Sequence, residues 1–191
     1  MSLNSLAVYC GSAMGRNPIH ADATRELGQA MVRRGIDLVY GGGKLGLMGL
    51  IADTVLDAGG KAYGVIPEAL RSHEVAHMGL TELHHVADMH QRKAKMTQLA
   101  DAFVCLPGGI GTLDELMEAW TWNALGYHAK PFCLLDIGGY WQGFAQFCDT
   151  VMAEGFMSEG RRAQLLVAPD VETALDMLVE AAEKASAGPV W

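Results

Sequence analysis

Pro107-Gly108-Gly109-Ile110-Gly111-Thr112-Leu113-Asp114-Glu115 is the stretch from which the fold of this chain is read. The preceding Phe103-Val104-Cys105-Leu106 is a short apolar run of strand type, and Thr112 to Leu125 has the length and spacing of an amphipathic helix. A glycine turn therefore joins a buried strand to a helix and leaves the carboxylate of Glu115 one turn inside. The first N–H groups of a helix are unpaired and its dipole is positive there, so the turn can hold an anion. Glycine lets the backbone approach a phosphate with no Cβ in the way.

The helix itself carries a second signal. At about 100° per residue, Leu113, Leu116, Met117, Trp120 and Ala124 share one face, which is expected to be the core face. Glu115 and Trp122 then fall on the opposite side. A carboxylate and an aromatic ring placed together away from the core suggest a ligand or a second subunit.

Outward from this turn, the chain alternates strand and helix. Leu6 to Cys10 precedes a helix at about Ile19 to Arg34, Asp37 to Tyr40 precedes Gly46 to Asp57, and Lys61 to Val65 follows. Glu82 to Val86 then leads to His90 to Ala100, Phe103 to Leu106 to Thr112 to Leu125, and Phe132 to Leu135 to Tyr140 to Glu154. A last strand, Leu165 to Ala168, passes through Asp170 as N-cap into a helix ending near Lys184. This order predicts an α/β fold, a doubly wound parallel sheet with helices on both faces. Ligands of such sheets bind beyond the carboxyl ends of the strands, where the strand order reverses. Three glycine-bearing turns meet at that edge: Cys10-Gly11-Ser12, Gly41-Gly42-Gly43-Lys44-Leu45-Gly46 and the Pro107 turn.

With 191 residues, half of them hydrophobic and 19% charged, the chain reads as one domain over 1–191 with a short tail at about 185–191. A net charge of −8 gives no electrostatic footprint for a nucleic-acid polymer. No stretch is long and apolar enough to span a bilayer, and Met1-Ser2-Leu3-Asn4 lacks the basic segment of a signal peptide, so a cytoplasmic protein is expected. Cys10, Cys105, Cys133 and Cys148 form no C-x-x-C pair and read as reduced residues in or near the core.

Three motifs compete with a phosphate site. Gly41, Gly43 and Gly46 satisfy G-x-G-x-x-G, but they follow the second strand, and no acidic residue closes the next one except Glu68, beyond Ile66-Pro67. A nicotinamide or flavin is not expected. The Walker A pattern fails because Lys44 follows too few residues and precedes Leu45. His73-Glu74-Val75-Ala76-His77 matches H-E-x-x-H, yet it sits between Pro67 and Gly79 in a stretch too short and polar for a zinc-protease helix. No metal is expected, and Glu74 is kept as a ligand contact. In the helix opening at Met89-His90-Gln91-Arg92, Arg92 lies along the apolar face of Met89, Met96 and Leu99. It either snorkels to the edge or meets a buried anion.

Tyr40-Gly41-Gly42-Gly43 with Gly46-Leu47-Met48-Gly49, then Met89-His90-Gln91-Arg92-Lys93-Ala94, then the Pro107 to Glu115 run resemble the LOG (lonely guy) family. Gly64-Val65-Ile66-Pro67, Glu74-Val75-Ala76-His77 and Trp120-Thr121-Trp122 resemble it too, so the match runs from Cys10-Gly11-Ser12 to at least Gly155-Phe156. The resemblance implies a Rossmann-like homodimer. It also implies a phosphoribohydrolase that cleaves the N-glycosidic bond of a purine nucleoside 5′-monophosphate, of cytokinin type or AMP, with no cofactor. Arg92 and Glu115 match the catalytic pair. Substrate contacts are implied for Ser12, Gly41, Gly42, Gly43, Glu74, Lys93, Gly108, Gly109, Ile110, Gly111, Thr112 and Thr121. The label lysine decarboxylase, often given to such sequences, would need a pyridoxal Schiff-base lysine and its supporting fold, which the chain does not supply. The rival reading is a nucleotide or molybdenum-cofactor-type carrier that uses the same glycine turns without turnover.

Overall fold

The computed structural model describes residues 3–70 and 76–187. Seven strands form one sheet: β1 (Ser5–Tyr9), β2 (Asp37–Tyr40), β3 (Ala62–Pro67), β4 (Glu82–Val86), β5 (Ala102–Cys105), β6 (Phe132–Leu135) and β7 (Leu165–Ala168). Their order is β4-β3-β2-β1-β5-β6-β7, and every pairing is parallel. The chain first winds outward from β1 to β4, then returns to lay β5 on the other side of β1. Strand order therefore reverses between β1 and β5, where Leu6 pairs with Ala102 and Tyr9 with Cys105.

Strand periodicity divides the core in two. Leu6 and Val8 of β1 and Val104 of β5 face one side of the sheet, while Ala7, Tyr9, Phe103 and Cys105 face the other. Helices α1 (Ile19–Arg33), α2 (Gly46–Asp57) and α7 (Val171–Ala187) cover the first side. The second is covered by α3 (Met89–Leu99), α4 (Ile110–Ala124) and α5 (Gln142–Ala153). A parallel sheet buried on both faces needs strands that are apolar throughout. β5 and β6 are fully buried along their length, whereas the edge strand β4 is only half-covered.

The strand–helix order and the parallel sheet are as the sequence predicts. Asp170 caps α7 as expected, its carboxylate accepting from the Thr173 N–H at 2.9 Å and from the Thr173 hydroxyl at 2.9 Å. All four cysteines are free thiols and buried. The main differences are at two helix ends and in one added helix. α4 begins at Ile110 with Gly109 as N-cap, not at Thr112, because the turn tightens directly into helix. α7 continues to Ala187, so residues 185–187 are helical rather than tail. A short helix, α6 (Glu159–Ala163), capped by Ser158 accepting from the Arg161 N–H, has no counterpart in the sequence reading because five residues show no periodicity.

The loops at the reversal point are held together by close backbone approach. Gly46 opens α2 with φ +60°, and a Cβ there would stand 2.3 Å from the Ser12 backbone. Gly46→Ala is expected to cost at least about 2 kcal/mol and lower Tm by about 4–8 °C. In Gly143→Ala, on α5 with open space around its Cβ position, no such loss is expected. Equal melting temperatures for the two variants would contradict this packing.

Candidate functional site

At the reversal point the β1–α1 and β5–α4 loops are laced together. The Leu106 N–H donates to the Tyr9 carbonyl at 3.0 Å and the Gly11 N–H to the Pro107 carbonyl at 3.1 Å. The Leu47 N–H reaches the Gly11 carbonyl at 3.1 Å and so ties α2 to the same place. Gly108 fits only as glycine, because a Cβ would lie 2.0 Å from Thr112 Oγ1. Thr112 is buried, while Gly109 and Gly111 are exposed and Ile110 is 87% exposed. The first amides of α4 thus border solvent with no intrahelical acceptor, in the geometry that favours an anion.

Arg92 is the centre of the site. Asp88 caps α3 by accepting from the Gln91 N–H at 2.8 Å, which sets Arg92 in the first turn facing the sheet. Its side chain does not snorkel; the residue is only 5% exposed. Nε donates to the Val65 carbonyl at 3.1 Å, Nη2 donates to the Gly41 carbonyl at 3.1 Å, and Nη1 stands 3.3 Å from Glu115 Oε1. One planar guanidinium therefore spans the ends of β2 and β3 and the first half of α4. Gly41 must be glycine here, since a Cβ would lie 1.9 Å from Nη2.

Glu115 corrects the face assigned to α4. The buried stripe is Thr112, Glu115, Leu116, Ala119 and Trp120, with Glu115 8% exposed, while Met117, expected in the core, is 44% exposed. The apolar pattern misplaces the stripe because it treats a carboxylate as solvent-seeking. Arg92 supplies the counter-charge that lets this one turn inward. Trp122, half-buried on the other side, packs edge-on to His90 and Tyr127 rather than beside Glu115.

The surroundings keep that carboxylate the dominant charge. Burial, reinforced by the negative charge of Glu115, pushes the Tyr9 phenol and the Cys10 and Cys105 thiols well above their ordinary pKa values. Arg92 pulls Cys10 the other way without reversing the shift. Cys10 is thus a neutral thiol beside the site rather than a nucleophile.

The other expected contacts divide. Gly41, Gly42, Gly43 and Gly108 through Thr112 converge at the reversal point with Arg92 and Glu115, and Ser12 is exposed against the Gly46 turn. Lys93 sits between Glu118 at 2.5 Å and Asp114 at 3.1 Å. Burial works against its charge, but those hydrogen bonds outweigh burial and hold its pKa above the ordinary lysine value. Thr121 is not brought to Glu115. It lines an open groove with Leu125, Phe156 and Arg161 on a different face of α4.

Glu74 and His73 lie outside the described residues. Just after them, Ala76 pairs with Gly43, and the His77 N–H donates to the Gly42 carbonyl at 3.0 Å. The His77 ring is occupied, with Nε2 2.8 Å from Asp53 and Nδ1 accepting from the Gly79 N–H. Sequence reasoning missed Tyr140, whose hydroxyl donates to the Gly108 carbonyl, because no spacing links two residues 32 apart.

Comparison with known proteins adds an independent line. A family model described as "Possible lysine decarboxylase" matches residues 48–178. A cytokinin riboside 5′-monophosphate phosphoribohydrolase LOG of Oryza sativa subsp. japonica is 46% identical over 97% of this chain and 77% of its own length. The cytokinin riboside 5′-monophosphate phosphoribohydrolase of Rhodococcoides fascians is 44% identical over 90% of this chain and 87% of its own. Among solved structures, a Moco carrier protein from Chlamydomonas reinhardtii superposes with TM-score 0.72 over 95% of this chain and 99% of its own. At 20% identity that likeness concerns the fold alone.

Removing Arg92 takes away the guanidinium that stands 3.3 Å from the buried Glu115 carboxylate. Arg92→Met is expected to destabilise by about 3–5 kcal/mol. The double variant Arg92→Met/Glu115→Leu should recover at least half of that loss, because the carboxylate that faced Arg92 is then gone too. Denaturant unfolding measures both, and a double variant no more stable than Arg92→Met would contradict the pairing.

Proposed function

The chain belongs to the LOG family of cytokinin riboside 5′-monophosphate phosphoribohydrolases, and on that premise we propose that it hydrolyses the N-glycosidic bond of purine nucleoside 5′-monophosphates, releasing the free base and ribose 5-phosphate. The observation that carries this reading is the buried Arg92–Glu115 pair, 3.3 Å apart, beside an open helix N-terminus.

Departure of the base leaves positive charge on the ribose ring. A fixed carboxylate such as Glu115 stabilises that oxocarbenium character and holds, or takes a proton from, the attacking water. Arg92, 3.3 Å away, holds Glu115 in place. The amides from Gly109 to Thr112, with the Gly41–Gly43 turn across the crevice, hold the 5′-phosphate and so anchor the sugar for attack. Ser12, Glu74, Lys93 and Thr121 complete the proposed substrate contacts. We place the reaction in the cytoplasm, with the nucleotides it would consume.

A carrier needs the anion-binding turns but no buried carboxylate at the reacting centre. Glu115 therefore favours an enzyme over the carrier reading, and the solved carriers resemble this chain in fold only.

The assembly we propose is a homodimer. Leu125 and Tyr127 are exposed apolar residues next to Trp122, and together with His90, Thr97 and His128 the last two line an open groove between α3 and α4. Thr121 faces away from Glu115 of its own chain, so a part in substrate binding would bring it to the site of a second copy.

Two expectations follow from this arrangement. Glu115→Gln should remain folded and bind substrate while turnover drops about a hundredfold or more; near-normal turnover in the folded variant would contradict the role given to the carboxylate. Trp122→Glu should lower dimer content and activity together, as followed by light scattering at assay concentration, and a fully active wild-type monomer would refute the dimer.

A further inference from the structure

β6 ends at Leu135, and the chain turns at once through Asp136-Ile137-Gly138-Gly139-Tyr140-Trp141. Asp136 Oδ1 accepts from the Trp141 N–H at 2.6 Å and closes the turn. Gly138 and Gly139 have φ +62° and +77°, and a Cβ on Gly138 would stand 2.6 Å from Ile19 Cδ1. Trp141 is buried in the core layer under α3, α4 and α5 and anchors the far end. Tyr140 is thereby folded back over the edge of the sheet. It is 46% exposed, and its hydroxyl donates to the Gly108 carbonyl at 2.5 Å. Its ring is braced edge-on by Trp141, with centroids 5.0 Å apart, and by His20 of α1 at 5.7 Å.

The bonded carbonyl belongs to the peptide that opens α4. The Gly108 C=O and the Gly109 N–H share one planar unit and point in opposite directions, so fixing the first aims the second. Without a tether, two successive glycines allow this peptide to rotate and present its carbonyl oxygen where an anion would sit. The Tyr140 hydroxyl holds that oxygen on the α5 side and leaves the Gly109 N–H directed away from it.

We propose that Tyr140 is a positioning residue for 5′-phosphate recognition, locking the Gly108–Gly109 peptide in the orientation that accepts the anion. The identity of the anion rests on the nucleotide-hydrolase reading above; the lock rests on the geometry of the turn. Tyr140 touches no reacting atom, so its hydroxyl governs the binding of phosphate-bearing ligands and not the cleavage step.

Tyr140→Phe keeps the ring contacts and removes only the donor. By titration calorimetry, ribose 5-phosphate should bind the variant about five- to tenfold more weakly than wild type, the scale of one hydrogen bond. Adenine, which carries no phosphate, should change by less than about twofold. With AMP as substrate, KM should rise by the same factor while kcat is retained, and the melting temperature reports whether the variant is folded. Equal ribose 5-phosphate affinity in the two proteins, equal weakening of adenine, or no ribose 5-phosphate binding by wild type would each overturn the proposal. If wild type releases no adenine from AMP, the hydrolase reading fails, and the calorimetric comparison still decides the role of Tyr140.

Discussion

The pairing of Arg92 with Glu115 is the constraint around which the carboxyl edge of the sheet is organised. A guanidinium and a carboxylate, both almost fully buried, face each other at 3.3 Å, and two further donors of the fork meet the Val65 and Gly41 carbonyls, which offsets the cost of taking these charges out of water. These demands reach into the sequence. Gly41 has no room for a side chain, Asp88 sets the first turn of α3, and α4 turns a carboxylate inward. Such an arrangement is weak as a source of stability but strong as a means of fixing one geometry. The crevice is thus preorganised before any ligand arrives.

The topology supplies what the pair needs. Reversal of strand order between β1 and β5 sends the helices that follow those strands to opposite faces of the sheet, and three glycine-bearing turns line the crevice with backbone. Backbone N–H groups and one helix dipole can hold a phosphate in a chain of net charge −8, where no general positive field would collect it. Moco carrier proteins have the same fold at 19–20% identity. Fold alone does not separate the two functions, and the distinction falls to the site.

Most of the fold was legible because strand and helix alternate in phase with their glycine turns, from Leu6 through Leu165. The Arg92 side chain left two readings open in sequence, since its partner sits on another helix 23 positions away. Glu115 was placed on the wrong face of α4 because a hydrophobic stripe cannot register a buried charge whose counter-ion comes from elsewhere in the fold. Thr121 and Lys93 were carried by motif alone, and the structure puts the first on another face and the second between Asp114 and Glu118. Tyr140 left no signal, because its contact with Gly108 exists only once β6 lies beside β5.

The central claim is that this crevice cleaves a nucleotide between base and sugar. Its most direct test is incubation of the purified protein with AMP and quantification of every product. The account predicts free adenine and ribose 5-phosphate in equal amounts, with no inorganic phosphate released. Recovery of AMP unchanged, or its conversion to adenosine and phosphate, would contradict it.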